Sequence, residues 1–129
     1  VAGEDVPLIV VDRFPLSSLH LLKIDVEGME AEVLLGAKQT IARHRPILHV
    51  ENDRREKSPA LIGLILELGY DLSWDLPPLF NPSNFASCPD NIFSRIISIN
   101  LLCIPKELNL PAPGSRRVIG PSDWWQLPA

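Results

Sequence analysis

An apolar stretch that runs straight into two carboxylates and a glycine constrains this chain more than any other feature. Leu21-Leu22-Lys23-Ile24-Asp25-Val26-Glu27-Gly28-Met29-Glu30 passes from strand-like apolar residues to Asp25 and Glu27, turns at Gly28, and enters a helical pattern at once. A strand that feeds a helix in so few residues opens a βαβ unit, and in open α/β sheets ligands bind outside the carboxyl ends of the strands. The same stretch therefore predicts the fold class and marks where chemistry belongs.

The rest of the chain continues the alternation. Residues 8–11 predict a short strand and residues 14–19 a short helical turn. Residues 19–26, apolar except at His20 and Lys23, suit a strand buried on both faces. Met29, Val33, Leu34, Ala37 and Ile41 recur at helical spacing, which predicts one helix over 28–44. Its acidic start (Glu27, Glu30, Glu32) and basic end (Arg43, His44, Arg45) complement the helix dipole, and Pro46 stops it. Residues 47–51 form the next strand, which ends in Glu51-Asn52-Asp53. Ser58 and Pro59 read as an N-cap and first-turn pair before an apolar helix over 60–68, closed by Gly69. Residues 70–74 predict a third strand of the same sheet. Pro77, Pro78, Pro82 and Pro89, with Asn81 and Asn84, make residues 75–90 a long loop, and loops of that length in compact domains are usually functional. One more strand lies within 92–104, centred on 96–103; it is expected antiparallel, because a parallel neighbour would need a crossover helix. From Pro105 onward the prolines, glycines and the pair Arg116-Arg117 read as a tail, and the sequence does not choose between docking and partner-binding roles for Trp124 and Trp125.

Composition narrows the classes. A chain of 129 residues, 46% hydrophobic, suffices for one domain that hides roughly two-thirds of its unfolded surface. A net charge of −4 lacks the Lys/Arg excess that phosphate neutralisation requires, and the densest charge cluster, residues 51–57, has mixed signs, so nucleic acid is not an expected partner. No apolar run approaches the roughly 20 residues needed to cross a bilayer, and no signal-peptide pattern opens the chain. The expectation is a soluble, cytoplasmic domain with no membrane partner. Cys88 and Cys103 form neither a disulfide framework nor a metal spacing and are expected as free thiols.

The order strand-helix-strand-helix-strand-loop-strand, α/β with the last strand antiparallel, resembles the second half of the Rossmann-like fold of class I S-adenosylmethionine-dependent methyltransferases. The residues Lys23-Ile24-Asp25-Val26-Glu27-Gly28-Met29-Glu30, then Leu34-Leu35-Gly36-Ala37, then Arg45-Pro46-Ile47 and Val50-Glu51, resemble the FkbM-type methyltransferase family over roughly residues 6–69. The resemblance implies S-adenosylmethionine as cofactor and methyl transfer to a small-molecule hydroxyl acceptor, a sugar or a secondary metabolite. It also implies a glycine-rich loop after a first strand and an acidic residue at the end of a second, which residues 1–7 do not supply. Residues 1–105 are then expected to be the C-terminal part of such a domain and residues 106–129 a Pro-rich tail, with the cofactor-binding half missing. The start at Val1, with an apolar run already at Val6, fits a piece of something longer or a truncated product.

Asp25 and Glu27 are expected to be catalytic. Two apart on an extended strand, they share a side, and a carboxylate there can take the proton as a hydroxyl oxygen attacks the methyl group. Asp25 and Gly28 are the expected cofactor contacts, Gly28 because a missing side chain lets a ligand approach the backbone. The structural alternative is that Asp25 caps the following helix, Glu27 pairs with Lys23 and Gly28 only makes the turn. Glu51 and Asn52 should lie beside Asp25 and face the acceptor, joined by Trp74, Asn81 and Asn84. Against this, Phe80 and Phe85 of the same loop can serve merely to pin it to the sheet. His49 lies on the same alternate side as Glu51, but a lone histidine in an apolar strand reads first as a core residue, and His20 and His44 promise less. Asp25, Glu27, Glu51, Asn52 and Asp53 are also oxygen ligands of the kind Mg²⁺ or Ca²⁺ takes, although nothing in their spacing demands a metal. Two other classes stay open: a noncatalytic α/β module without cofactor binding, and a metal-dependent hydrolase that would need those carboxylates in a tight cluster.

Overall fold

The computed structural model describes residues 3–111 and 116–126. Four strands form one mixed sheet: β1 (Leu21–Ile24), β2 (Ile47–Glu51), β3 (Tyr70–Asp75) and β4 (Asn100–Pro105), in the spatial order β1-β2-β4-β3. β1 and β2 are parallel, with Leu21 opposite Ile47 and Ile24 opposite Val50. β4 is antiparallel to both of its neighbours, as the helix-free connection demands. β1, β2 and β3 therefore run in one direction, and their last residues reach the same edge of the sheet.

Side chains alternate across a strand, so each face has its own composition. Ile24, Leu48, Val50, Leu72, Trp74, Leu101 and Cys103 point to one face and are buried with Leu34, Ile41, Leu61, Ile62 and Ile65 of the helices. Full burial of each large aliphatic side chain contributes about 1.5–3 kcal/mol, which makes this face the source of the fold's stability. The opposite face carries Lys23, His49, Glu51, Leu102, Ser73 and Asp75, and only Ser73 of these is buried.

The helix expected over 28–44 is two helices, α1 (Glu30–Leu35) and α2 (Lys38–His44). The break lies at Gly36-Ala37 and is held from a distance: the Asp12 N–H donates to the Gly36 carbonyl (2.9 Å), while the Asp12 carboxylate accepts from the N–H groups of Gln39 (3.1 Å) and Thr40 (2.8 Å). Asp12 thus satisfies first-turn donors that α2 cannot satisfy itself. Burial works to raise its pKa, but these hydrogen bonds outweigh it and hold the carboxyl below its usual range. The same contact corrects the strand expected at 8–11. Those residues find no sheet neighbour; a 3-10 turn at Val11–Arg13 places Asp12 under α2, while Val6, Leu8, Ile9 and Val10 stay exposed. Residues 14–19 likewise form no helical turn.

α3 (Ser58–Glu67) begins at Ser58 rather than after it, with Pro59 in its first turn. The Ser58 hydroxyl caps nothing, because it accepts a hydrogen bond from Asn52 Nδ2 (2.9 Å). Gly69, at φ +83°, takes the left-handed conformation that ends the helix. Arg45 then clamps that end: its guanidinium donates to the carbonyls of Leu68 (2.8 Å) and Gly69 (3.1 Å), pairs with Glu107, and lies 4.6 Å from the centre of the Tyr70 ring. Burial pushes the Tyr70 hydroxyl up to about 12, and it donates to the Pro46 carbonyl at 2.9 Å.

The loop after β3 has no helix and one short antiparallel contact, between Pro78 and Ile97. Residues 116–126, read from sequence as part of a tail, fasten to β3. The Trp74 N–H donates to the Arg116 carbonyl and the Val118 N–H to the Leu72 carbonyl, both at 2.9 Å, and Val118 is buried. The start of the expected tail forms a 3-10 turn at Lys106–Leu108, and its residues 112–115 and 127–129 lie outside the described residues. Cys88 is exposed and Cys103 buried, both free. Among the described residues, no helix is long and apolar enough to cross a membrane.

Candidate functional site

The parallel strands β1, β2 and β3 deliver Asp25, Glu51 and Asp75 to one edge of the sheet, and Asn100 starts β4 there. Asp25 pairs with Lys23, one strand repeat earlier on the same side. Lys23 chiefly holds the Asp25 carboxyl below its usual range, with smaller help from a Glu51 hydrogen bond and the charge of His49. Glu51 behaves in the opposite way. Burial pushes its carboxyl up to about 7, and the negative charges of Asp25, Asp53, Glu27 and Glu30 add to the shift. Its Oε2 is buried without a hydrogen-bond partner among the described residues. Two carboxyls on neighbouring strands thus have opposite tendencies, one to stay charged and one to keep its proton near neutrality.

Glu27 does not join them. The extended backbone ends at Ile24, and Glu27 sits in the turn at φ +55°, so the alternation that would align it with Asp25 does not reach it. Its side chain, 81% exposed, pairs with Arg54 (2.8 Å). Lys23 is therefore the partner of Asp25 and not of Glu27. The Gly28 turn is closed by protein groups on each side. Gly28 N–H (2.9 Å) and Val26 N–H (3.3 Å) both donate to Glu30 Oε1, and Lys57 Nζ donates to the Gly28 carbonyl (2.7 Å). Gly28 itself stands at φ +95°, and a Cβ there would meet Lys57 Nζ at 3.2 Å. The positive φ favours glycine for the turn, and a side chain there would crowd that lysine; the Val26 and Gly28 N–H groups are taken by the buried Glu30.

Three expected acceptor contacts are engaged by the protein. Asn52 is 3% exposed, gives its side-chain amide to Ser58 and its N–H to the Ile99 carbonyl (2.8 Å), and so ties β2 to α3 and to the approach to β4. Trp74 is 1% exposed, because its position in β3 points it to the helix-covered face. Its Nε1–H reaches Asp123 (3.4 Å) and its ring meets that of Trp124 edge-on at 5.8 Å. Asn84 spends its amide on the loop, donating to the carbonyls of Asn81 (3.1 Å) and Cys88 (2.7 Å) and accepting the Cys88 N–H (3.0 Å). Asn81 accepts the Ser83 N–H (2.9 Å) in the same turn and is exposed. Phe85 pins nothing, being fully exposed.

Sequence reading passed over one pair at this edge. His49 Nε2 lies 2.9 Å from Asp75 Oδ2, across the intervening strand β4, with both side chains part-exposed on the open face. The signals available were the spacing of His49 two residues before Glu51 and the carboxyl of Asp75 where the third strand gives way to the loop. Among the described residues no three His, Cys, Asp or Glu side chains gather as a metal site would require. A cavity of about 430 Å³ is lined by Asp71, Ser73, Ile104, Leu110 and Arg117, toward the other end of β3 from Asp75, and contains none of the strand-end carboxyls.

Asp25 and Glu51, the Gly28 turn and the α1–α2 pair all fall within residues 4–72, which match the FkbM methyltransferase domain, while Asp75 lies just beyond them. No curated protein and no solved structure gives a significant match. Since the matched residues are more than half of the chain, it belongs to the FkbM methyltransferase family.

Proposed function

We propose that this chain carries the acceptor side of an S-adenosylmethionine-dependent O-methyltransferase, which methylates a hydroxyl of a sugar or secondary metabolite. The observation that carries the reading is the convergence of Asp25 and Glu51 at the ends of parallel neighbours, inside the family-matched segment. The antiparallel β4, inserted between β2 and β3, supports the Rossmann-like methyltransferase sheet as its frame.

The edge suits a cationic ligand. Asp25 is held charged, and Glu51 offers a buried oxygen without a partner, so a sulfonium or ammonium group placed there gains both. When bound, S-adenosylmethionine supplies the electrophilic methyl group. Among the described residues β1 pairs on one side only, and its first residue, Leu21, is exposed; a further strand on the open side, bearing the glycine-rich loop that the family uses, completes the cofactor pocket in this proposal. The acceptor enters from the side of the 75–90 loop, whose exposed Leu79 and Phe85 offer apolar contact and whose Asn81 offers a polar one.

Calorimetric titration of S-adenosylhomocysteine into the full polypeptide, and into residues 1–129 as control, tests the reading. Binding by the full polypeptide supports a methyltransferase. Absence of binding by both forms overturns the enzyme and leaves a noncatalytic α/β module.

A further inference from the structure

We propose that His49, oriented by Asp75, is the group that takes the proton from the acceptor hydroxyl. The inference rests on the methyltransferase reading and changes which side chain performs the acid–base step.

Geometry carries it. A carboxylate oxygen accepts, so the 2.9 Å contact with Asp75 puts the hydrogen of neutral His49 on Nε2 and leaves the Nδ1 lone pair as the acceptor. The imidazole stands on the sheet face opposite the helix-packed core, a face that no helix covers among the described residues, one strand repeat before Glu51 and opposite Lys23 in the β1–β2 register. It is close enough to Asp25 for its charge to act on that carboxyl. The charged groups that face it are Lys23 from β1, Asp25 just after that strand, Glu51 from its own strand and Asp75 from β3; β4 presents Leu102 at the matching position.

The other two candidates at the edge serve less well. Asp25 is committed to Lys23 and held charged by it, which makes it a weak base, while Glu51 tends to keep a proton of its own. The carboxyls then suit the cation, and the imidazole suits the proton. In the step itself the acceptor oxygen bonds to the methyl carbon, the methyl–sulfur bond breaks with its electron pair remaining on sulfur, and the hydroxyl proton passes to Nδ1. The imidazolium, paired with the Asp75 carboxylate, returns the proton to water. His49 is on this view a catalytic residue, and Asp75 a positioning residue.

Two measurements on the full polypeptide decide it. Histidine-selective ¹⁵N NMR at a pH where the ring is neutral should show Nε2–H and bare Nδ1 for His49, with the preference lost in D75N; an Nδ1–H tautomer in the unsubstituted protein overturns the proposal. Transfer of labelled methyl to methyl glucoside and catechol should fall about 100-fold or more in H49Q, and to a smaller extent in D75N through kcat, with S-adenosylhomocysteine affinity unchanged. Undiminished transfer by H49Q with intact binding sinks the role of His49 alone, whereas failure to bind S-adenosylhomocysteine sinks the methyltransferase reading with it.

Discussion

Asp25 and Glu51 end adjacent parallel strands, and the charge of the first raises the pKa of the second. Burial and that charge lift Glu51 from an ordinary 4.5 to about 7, so between these pH values the folded protein binds a proton that the unfolded chain has released. Stability must then fall as pH rises through this window, by about 1–3 kcal/mol from this one group. E51Q keeps the shape and removes the titration. It is expected to match the unsubstituted protein at pH 4.5 and to exceed it in stability at pH 8, as read by urea unfolding. Equal stability at pH 8 would refute the account of Glu51.

Glu30 holds the Gly28 turn by accepting two backbone N–H groups while itself 5% exposed. E30A leaves both donors without their partner and should cost about 2–3 kcal/mol. E30Q retains one acceptor oxygen, and a loss of about 1 kcal/mol is expected. Denaturant midpoints of the two variants give the comparison, and a harmless E30A would mean that water serves the turn equally well.

Arg45 is the joint between the end of α2 and the end of α3. It occupies the left-handed region at φ +48° and spends its guanidinium on the Leu68 and Gly69 carbonyls. R45K keeps the charge but not the planar fork. Both R45A and R45K should therefore lower Tm, with R45A losing about 1.5–3 kcal/mol and R45K only part of that. If R45K melts with the unsubstituted protein, charge rather than the fork does the clamping.

The docked segment after residue 115 should respond to acid. Burial tends to raise the Asp123 pKa, yet the paired hydrogen bonds of Arg116, the Ile119 N–H and Trp74 Nε1–H outweigh it. A depressed carboxyl contributes stability above its ordinary 3.8 and loses it as pH falls below. Tryptophan emission is expected to shift red below about pH 4 as Trp124 leaves Trp74, and D123A should show that shift already at pH 7. An unshifted D123A, with circular dichroism unchanged, would show that the ring contacts suffice.

Local pattern foretold the elements whose causes are local. β2 and the strand-to-turn passage after Ile24 follow from apolar runs ended by polar clusters, and the antiparallel β4 from the lack of a crossover helix. What escaped was written in distant residues. Nothing near Gly36 announces that Asp12 will divide the helix there, because periodicity continues through Ala37 and Ile41 without a fault. The apolar run at 8–11 has the composition of a strand but no neighbour to take its backbone groups. At the site, Asp25 and Glu51 were legible as strand ends, whereas Glu27 followed a turn that alternation does not describe. Asn52 and Trp74 had suitable chemistry for a ligand but find protein partners: Asn52 takes the Ser58 hydroxyl, which the sequence reads as a helix cap, and Trp74 takes Asp123, too far along the chain for local spacing to reveal.

β4 has a consequence for how the chain becomes a protein. β2 and β3 never touch along their lengths; each meets the other only through the strand that comes last. The segment that matches the family stops at residue 72, inside β3, so it holds β1, β2 and the start of β3 with the middle of the sheet still unmade. A nascent chain that has emerged only that far carries two strand edges facing an empty slot, and it must wait for residues 100–105 to close it. Recognition and foldability thus have different boundaries here: the part that places the chain in its family leaves open the slot that a later part fills.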